Sequence, residues 1–303
     1  MTPQDYKSDQ YVRFCPGCGD HAICAALQKA MAQIGIPPHQ IAVISGIGCS
    51  SRMPHYLNTY GFNTIHGRGG AVATGVKTSH PELTVWQMSG DGDCLAIGGN
   101  HFIHEIRRNV DLNVCMFNNR IYGLTKGQYS PTSPKGFVSK SSPFGTVERP
   151  FIPAELVLGA RGTFFARTLD VDMPTTVDCM VQAHEHKGAS IIECLVNCVI
   201  FNNGTHEWSN DERYNYIDSN APHAVLFPSI EVTKEDLMDY LHIYDVNAIP
   251  DDLTFDENGY ITFGSFKHLA INLPTTNVLV RMPKGIFEVK NLNLALIKDG
   301  EDE

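Results

Sequence analysis

Two groups of residues in this chain have types and spacing that suit chemistry. One is Gly90-Asp91-Gly92-Asp93, followed one helix and one strand later by Asn118-Asn119-Arg120-Ile121. Glycines let a chain turn sharply and let backbone amides come close to phosphate oxygens. Asp91, the side-chain oxygen of Asn119 and the Ile121 carbonyl are hard oxygen ligands of the kind that hold a Mg²⁺ bridging a diphosphate. The other group is Cys15-Pro16-Gly17-Cys18-Gly19, a tight knuckle that points two sulfurs at one metal. Taken alone, the knuckle reads first as a zinc site.

These residues need elements to position them, and the hydrophobic pattern predicts those elements. Leu83–Met88 is an apolar run of buried-strand length, Ala96–Arg108 has helical spacing, and Leu112–Phe117 is a second strand delivering the asparagines. Ahead of them, Asp20 is expected to cap a helix over His21–Gln33, and Gln40–Ser45 is a strand running into Gly46-Ile47-Gly48-Cys49-Ser50-Ser51-Arg52. Ligands bind at the carboxyl ends of parallel strands in open α/β sheets, so Cys49 falls where chemistry is expected and is a candidate third sulfur ligand. His66-Gly67-Arg68 sits on another glycine-rich turn, before a small-residue helix over Ala71–Lys77; His66 reads equally as a site residue or a surface histidine.

The polar, proline-bearing stretch from Tyr122 to Pro150 is too long for a routine connection and reads as a binding loop or a surface ordered by a partner. Beyond it, helix, strand, helix and strand are predicted over Pro153–Ala160, Thr163–Ala166, Pro174–His186 and Ala189–Leu195, placing Cys198 at another strand end. Cys24, Cys94, Cys115, Cys179 and Cys194 sit in apolar contexts that suit small buried hydrophobes. The alternation predicts an α/β fold with a doubly wound, mostly parallel sheet. Residues 1–227 form the expected main domain, and 228–303 an extension of mixed structure. Within the extension a helix is predicted over Val232–Ile243, a hairpin over Leu253–Phe263, a strand over Asn277–Arg281 and a frayed end from Lys298.

With 303 residues and 43% hydrophobic content the chain can bury a substantial core. A formal charge of -10 argues against nucleic acid as a partner. No apolar run reaches membrane-spanning length and no signal-peptide layout opens the chain, so a cytoplasmic protein without membrane attachment is expected.

Read together and in order, Cys15-Pro-Gly-Cys18-Gly, Gly46-Ile-Gly-Cys49-Ser-Ser-Arg, His66-Gly-Arg, Gly90-Asp-Gly-Asp, Asn119-Arg-Ile-Tyr-Gly-Leu-Thr-Lys-Gly-Gln and Cys198-Val-Ile-Phe-Asn closely resemble the β subunits of 2-oxoacid:ferredoxin oxidoreductases, over roughly the first 210 residues. The resemblance implies a sheet of the thiamine diphosphate-binding type, with Asp91, Asn119 and Ile121 on Mg²⁺. Gly48, Ser50, Ser51, His66, Gly67, Gly90, Gly92, Asp93, Tyr122, Gly123, Leu124 and Thr125 would surround the cofactor. It turns the metal expectation from zinc to iron, with Cys15, Cys18, Cys49 and Cys198 holding a [4Fe-4S] cluster.

The implied reaction is oxidative decarboxylation of a 2-oxoacid with coenzyme A, or its reverse. Electrons would leave one at a time to ferredoxin, and the Lys126 form of the Gly-Leu-Thr-Lys-Gly-Gln string is similar to that of 2-oxoglutarate enzymes. His66, Arg52 and Lys126 are the candidate catalytic residues. No activating glutamate follows from this sequence, so an α subunit is expected to complete the site, in a dimer of heterodimers. Two other readings compete: a non-oxidative decarboxylase or carboligase with structural zinc, and a non-catalytic subunit that carries a cluster.

Overall fold

The apolar runs fold into a six-stranded, wholly parallel sheet. In the computed structural model residues 1–206 are described in full; beyond them only the backbone of short strands between 254 and 297 is described. The sheet strands are β1 (Ile41–Ser45), β2 (Tyr60–Asn63), β3 (Thr84–Gly90), β4 (Leu112–Asn118), β7 (Phe164–Leu169) and β8 (Ala189–Leu195), in the order β2-β1-β3-β4-β8-β7. Short strands β5 (Ile121–Tyr122) and β6 (Gln128–Tyr129) form a separate antiparallel hairpin.

Helices cover both faces of the sheet, and two short ones, α2 (Met53–Tyr56) and α5 (Pro153–Gly159), lie in the connections before β2 and β7. On one face, α1 (Asp20–Ile34) packs against α6 (Met173–Glu185), over Ile41 and Val43 of β1, Trp86 and Met88 of β3, Cys115 and Phe117 of β4, and Ile192 and Cys194 of β8. The two-residue period of a strand sends the alternate positions to the other face, where α3 (Gly69–Ser79) and α4 (Gly99–Arg107) lie. Gly69 and Gly70 open α3, where a Cβ would crowd the Gly46 backbone at the first and collide with the Glu105 carboxylate at the second. Both faces being covered explains why β4 and β8 are buried at every position and are mainly apolar along their length.

The structure departs from the sequence-based expectations or adds to them in four places. Asp20 does not cap α1: the helix starts at Asp20, the cap position is Gly19, and the Asp20 side chain is buried. The helix expected from Ala96 is instead a π-helical turn over Asp93–Ile97 followed by α4. The break falls at Gly98, where any Cβ would collide with the Asp93 carbonyl and crowd Gly67. Strand β2 was not expected, because all four of its residues are exposed at the sheet edge and one is glycine. The stretch after Tyr122 is not uniformly peripheral: Ser130, Thr132 and Ser133 are buried, whereas Phe144 and Val147 are exposed.

The chain divides into two units, Met1–Ser209 and Asn210–Glu303. In the second, Thr254–Phe255 pairs antiparallel with Ile261–Thr262, as the hairpin pattern predicts. Val278–Met282, Gly285–Lys290 and Ala295–Ile297 form an antiparallel sheet whose first strand is the predicted one. The helix predicted over 232–243, the terminal residues from 298 and the boundary expected at 227 lie outside the described residues.

Candidate active site

The carboxyl ends of β1, β3, β4 and β8 all open onto one edge of the sheet. The chain steps from β1 outward to β2 and then crosses back to β3, so the loops after β1 and β3 diverge and leave a crevice between them. A cavity of about 200 Å³ occupies this crevice. Its wall contains Ile47, Gly48, Cys49 and Ser50 after β1, His66, Gly90 to Asp93 after β3, and Asn119 with Ile121 to Thr125 after β4. Of the expected cofactor residues, Ser51 and Gly67 do not line it; Ser51 is buried beside Ser50, and Gly67 donates its amide to Asp93.

Backbone shape sets the positions of two expected oxygen ligands. Arg120 has φ +55, a left-handed conformation that side chains other than glycine rarely adopt. It turns the chain between Asn119 and Ile121 so that both face the cavity, and Asn119 Oδ1 accepts from the Ile121 amide at 3.2 Å. Asp91 is 2% exposed, and burial pushes its pKa up to about 6 even though hydroxyls of Ser130 and Thr132 donate to it. A buried carboxylate facing a cavity beside an amide oxygen and a backbone carbonyl suits a hard divalent cation. At Gly92 a Cβ would collide with the Tyr122 ring, and the Tyr122 hydroxyl donates to the Gly92 carbonyl at 3.0 Å. At Gly92 the cavity wall is therefore bare backbone, which lets an anion come close to the chain.

His66 stands half-exposed at the cavity, its Nδ1 2.6 Å from Asp93 Oδ1. Asp93 faces the turn before α3 rather than offering itself to a ligand. Its Oδ1 also accepts from the amides of Ile47 and Gly67 at 3.1 and 2.7 Å, and its Oδ2 accepts from Ser89 at 2.5 Å. With a carboxylate on Nδ1, the imidazole carries its proton there and presents Nε2 as the basic nitrogen.

A second cavity, of about 220 Å³, adjoins the first. Cys15, Cys18, Cys49 and Cys198 all line it, coming from the N-terminal knuckle, the loop after β1 and the segment after β8. Gly17, with φ +80, closes the knuckle and packs on Val199, while the Gly19 amide donates to the Asn197 carbonyl at 3.2 Å. Burial, then the nearby Asp20, then the neighbouring thiols Cys49 and Cys198 push Cys18 up to about 12; the same kinds of cause push Cys49 up to about 11. Burial and neighbouring negative charge thus keep Cys18 and Cys49 as thiols, close to the other two cysteines that line the cavity. Among the described residues no three His, Cys, Asp or Glu side chains converge on a single metal ion. The other five cysteines are all buried away from this cavity, Cys194 fully so within β8.

The two cavities share a wall made of Asp20, Cys49, Asn119, Gly123 and Leu124. Asp20 is 1% exposed, its Oδ2 has no hydrogen-bond partner among the described residues, and burial followed by Asp170 pushes its pKa up to about 7. Nothing in the sequence marks it beyond its adjacency to Cys18, since an Asp before an apolar helix normally signals a cap. Arg52 lies on the cysteine side with Arg13. Lys126, at φ +80 in the β5–β6 turn, is exposed and lines neither cavity.

No helix among the described residues is long and apolar enough to cross a membrane. Residues 46–194 match the family described as thiamine pyrophosphate enzyme, C-terminal TPP binding domain. The chain is 51% identical over 204 residues to the 2-oxoglutarate oxidoreductase subunit KorB of Mycobacterium tuberculosis, an alignment covering 67% of this chain and 55% of that protein's length. It is 43% identical over 214 residues to the β subunit of 2-oxoacid:ferredoxin oxidoreductase 1 of Aeropyrum pernix, covering 70% of this chain and 67% of that one. Among solved structures, the 2-oxoglutarate:ferredoxin oxidoreductase of Magnetococcus marinus, with 2-oxoglutarate, coenzyme A and succinyl-CoA bound, superposes with a TM-score of 0.68 at 38% identity, over 73% of this chain and 78% of that one. A thiamine-type crevice joined to a four-cysteine cavity on one sheet edge, with identity at these levels, means that the chain belongs to the family of 2-oxoacid:ferredoxin oxidoreductase β subunits.

Proposed function

We propose that the chain is the β subunit of an enzyme that oxidatively decarboxylates a 2-oxoacid, 2-oxoglutarate in this reading, with coenzyme A to give acyl-CoA and CO₂, or runs the reverse carboxylation. The observation that carries the proposal is the shared wall between the two cavities, with Cys49 standing in both. A non-oxidative decarboxylase has no need of a metal centre placed there. Zinc requires its sulfurs about 2.3 Å from one point, whereas a [4Fe-4S] cluster takes one thiolate on each iron and so draws on a more open arrangement. The spread of Cys15, Cys18, Cys49 and Cys198 around their cavity supports the cluster.

Thiamine diphosphate, when bound, supplies the electron sink for loss of CO₂, and the cluster supplies an exit for single electrons towards ferredoxin. The chain's own residues supply the rest. Asp91, Asn119 and the Ile121 carbonyl hold Mg²⁺ on the diphosphate. Asp93 fixes His66 so that Nε2 can hold or move a proton at the substrate. Arg52 and Lys126 are cations available to a second substrate carboxylate or to coenzyme A phosphates. The cavity wall contains Asp20, Asp91 and Asp93 but no glutamate among the described residues, which supports an α subunit supplying the activating acid. A cytoplasmic dimer of heterodimers is the assembly this reading favours.

Co-purification with the α subunit, followed by assay of acceptor reduction that depends on both 2-oxoacid and coenzyme A, tests the proposal. Release of an aldehyde without any need for an electron acceptor would favour the non-oxidative alternative. Asp91→Ala and Asn119→Ala are expected to abolish Mg²⁺-dependent binding of thiamine diphosphate while leaving iron content unchanged.

A further inference from the structure

Because Asp91 is buried, the groups that orient its carboxylate must come from the protein itself. Two come from the middle of the long connection. Ser130 Oγ and Thr132 Oγ1 both lie 2.5 Å from the same oxygen, Oδ2. Among the described residues no side chain donates to Oδ1. Backbone amides of Asp91 and Gly92 also donate to the carboxylate, while the two hydroxyls on Oδ2 fix its rotation and leave Oδ1 without a side-chain donor.

The grip has its own anchor. The single proton of Thr132 is shared between Asp91 Oδ2 and Asn118 Oδ1, the latter at 2.9 Å. Asn118 cannot turn over, because its Nδ2 donates to Glu193 Oε1 at 2.6 Å and its Oδ1 accepts from the Arg120 amide at 3.2 Å. Glu193 is in turn held through Oε2 by Arg167 Nε at 2.7 Å. Ser130, Thr132, Asn118 and Glu193 are each 4% exposed or less, so the chain of contacts is desolvated and stiff. It crosses β7, β8 and β4 and ends on the carboxylate that follows β3. Ser133 closes the segment by donating to the Arg120 carbonyl at 2.7 Å, beside the turn that presents Ile121.

We propose that Ser130 and Thr132 are positioning residues for the metal-binding carboxylate, clamping Asp91 Oδ2 so that Oδ1 meets the divalent cation, with Asn118 and Glu193 as the anchor of the clamp. The proposal rests on the reading that Asp91 binds Mg²⁺ on a diphosphate. It assigns the first asparagine of the pair to holding the ligand's support and the second to the metal. Partners of this kind orient ligands, and their removal typically costs 10- to 100-fold in metal affinity.

The test uses the complex with its α subunit, stripped of metal and thiamine diphosphate. Calorimetric titration of thiamine diphosphate over a range of Mg²⁺ concentrations is compared for the parent, Thr132→Val, Thr132→Ser and Ser130→Ala. Thr132→Val keeps the shape and removes the hydroxyl; it and Ser130→Ala are each expected to raise the Mg²⁺ concentration at half-saturation about tenfold or more. Thr132→Ser is expected to restore the parental value, and iron content and visible spectrum to stay parental throughout. An unchanged Mg²⁺ requirement in Thr132→Val and Ser130→Ala overturns the proposal, as does a Thr132→Ser as impaired as Thr132→Val. Should Thr132→Val fail to fold, Ser130→Ala carries the same comparison. If the parent itself binds thiamine diphosphate equally well without Mg²⁺, the metal reading fails and the clamp with it.

Discussion

Asp93 receives His66 Nδ1 at 2.6 Å while two backbone amides and Ser89 hold the carboxylate from other directions. The imidazole orientation is therefore set by a group that is itself immobile. His66→Ala is expected to lower turnover of the complex about 10²- to 10⁴-fold, the usual range for a lost proton-transfer group, with little change in thiamine diphosphate binding. Asp93→Asn keeps one acceptor oxygen and should fall between His66→Ala and the parent. Steady-state kinetics beside calorimetric cofactor binding checks this; parental turnover in both variants would make His66 a bystander.

The nine cysteines should divide sharply. Ala at Cys15, Cys18, Cys49 or Cys198, which share one cavity, is expected to lose iron. Ser at Cys24, Cys94, Cys115, Cys179 or Cys194, all buried elsewhere, is expected to keep it. Iron analysis of the purified complexes decides. Retained iron in Cys198→Ala together with loss in Cys194→Ser would reverse the assignment.

Arg52 and Lys126 occupy different places, so their removal should have different effects. Arg52 faces the cysteine cavity and Lys126 the exposed end of a turn that continues from the cofactor cavity through Thr125. Comparing Arg52→Met and Lys126→Met on 2-oxoglutarate, on 2-oxobutyrate and across a coenzyme A titration separates their roles. Lys126→Met is expected to lose the dicarboxylate selectively or to raise the coenzyme A requirement with both oxoacids. If it changes neither, Lys126 is a surface charge.

Acid should weaken this fold in part through His206. Its Nε2 donates to the Asn118 carbonyl at 2.8 Å, and burial, then the charge of Arg120, push its pKa down to about 4. The unfolded chain takes up that proton near the ordinary histidine value of about 6.5. Between those values the unfolded state binds more protons, so the stabilising contribution is full above about pH 6.5 and is lost as pH falls towards 4. From about pH 7 to pH 5 the loss amounts to at most about 2 kcal/mol. His206→Gln keeps a donor and removes the titration, so its thermal midpoint should fall less than that of the parent over the same interval. Equal falls would assign the acid sensitivity to other groups.

How far the sequence reveals this architecture depends on whether a residue's role is local. Leu112–Asn118 and Ala189–Leu195 are legible as strands because both faces of the sheet are covered and most of their side chains are apolar. Tyr60–Asn63 is not, since an exposed edge strand leaves no pattern of burial. The cysteines and the Gly90-Asp91-Gly92 turn are legible because their chemistry lies in their spacing. Asp20 is misread because an aspartate before a helix normally caps it, and only the packing of Asp170 against Gly19 and the adjoining cavities reveals otherwise. Ser130 and Thr132 have turn-forming side chains in a proline-bearing stretch, and their contact with Asp91, some 40 residues away in sequence, exists only in the folded chain.

In the proposed function a decarboxylating cofactor and an electron-accepting cluster sit on either side of the wall that contains Cys49. The visible spectrum of the anaerobically purified complex, recorded before and after addition of 2-oxoglutarate and coenzyme A, tests it directly. The account predicts the broad absorbance of an iron-sulfur cluster, bleached by the substrates only when thiamine diphosphate and Mg²⁺ are present. A colourless complex containing zinc, or a cluster absorbance that the substrates leave unchanged in a complex that still consumes 2-oxoglutarate, would contradict it.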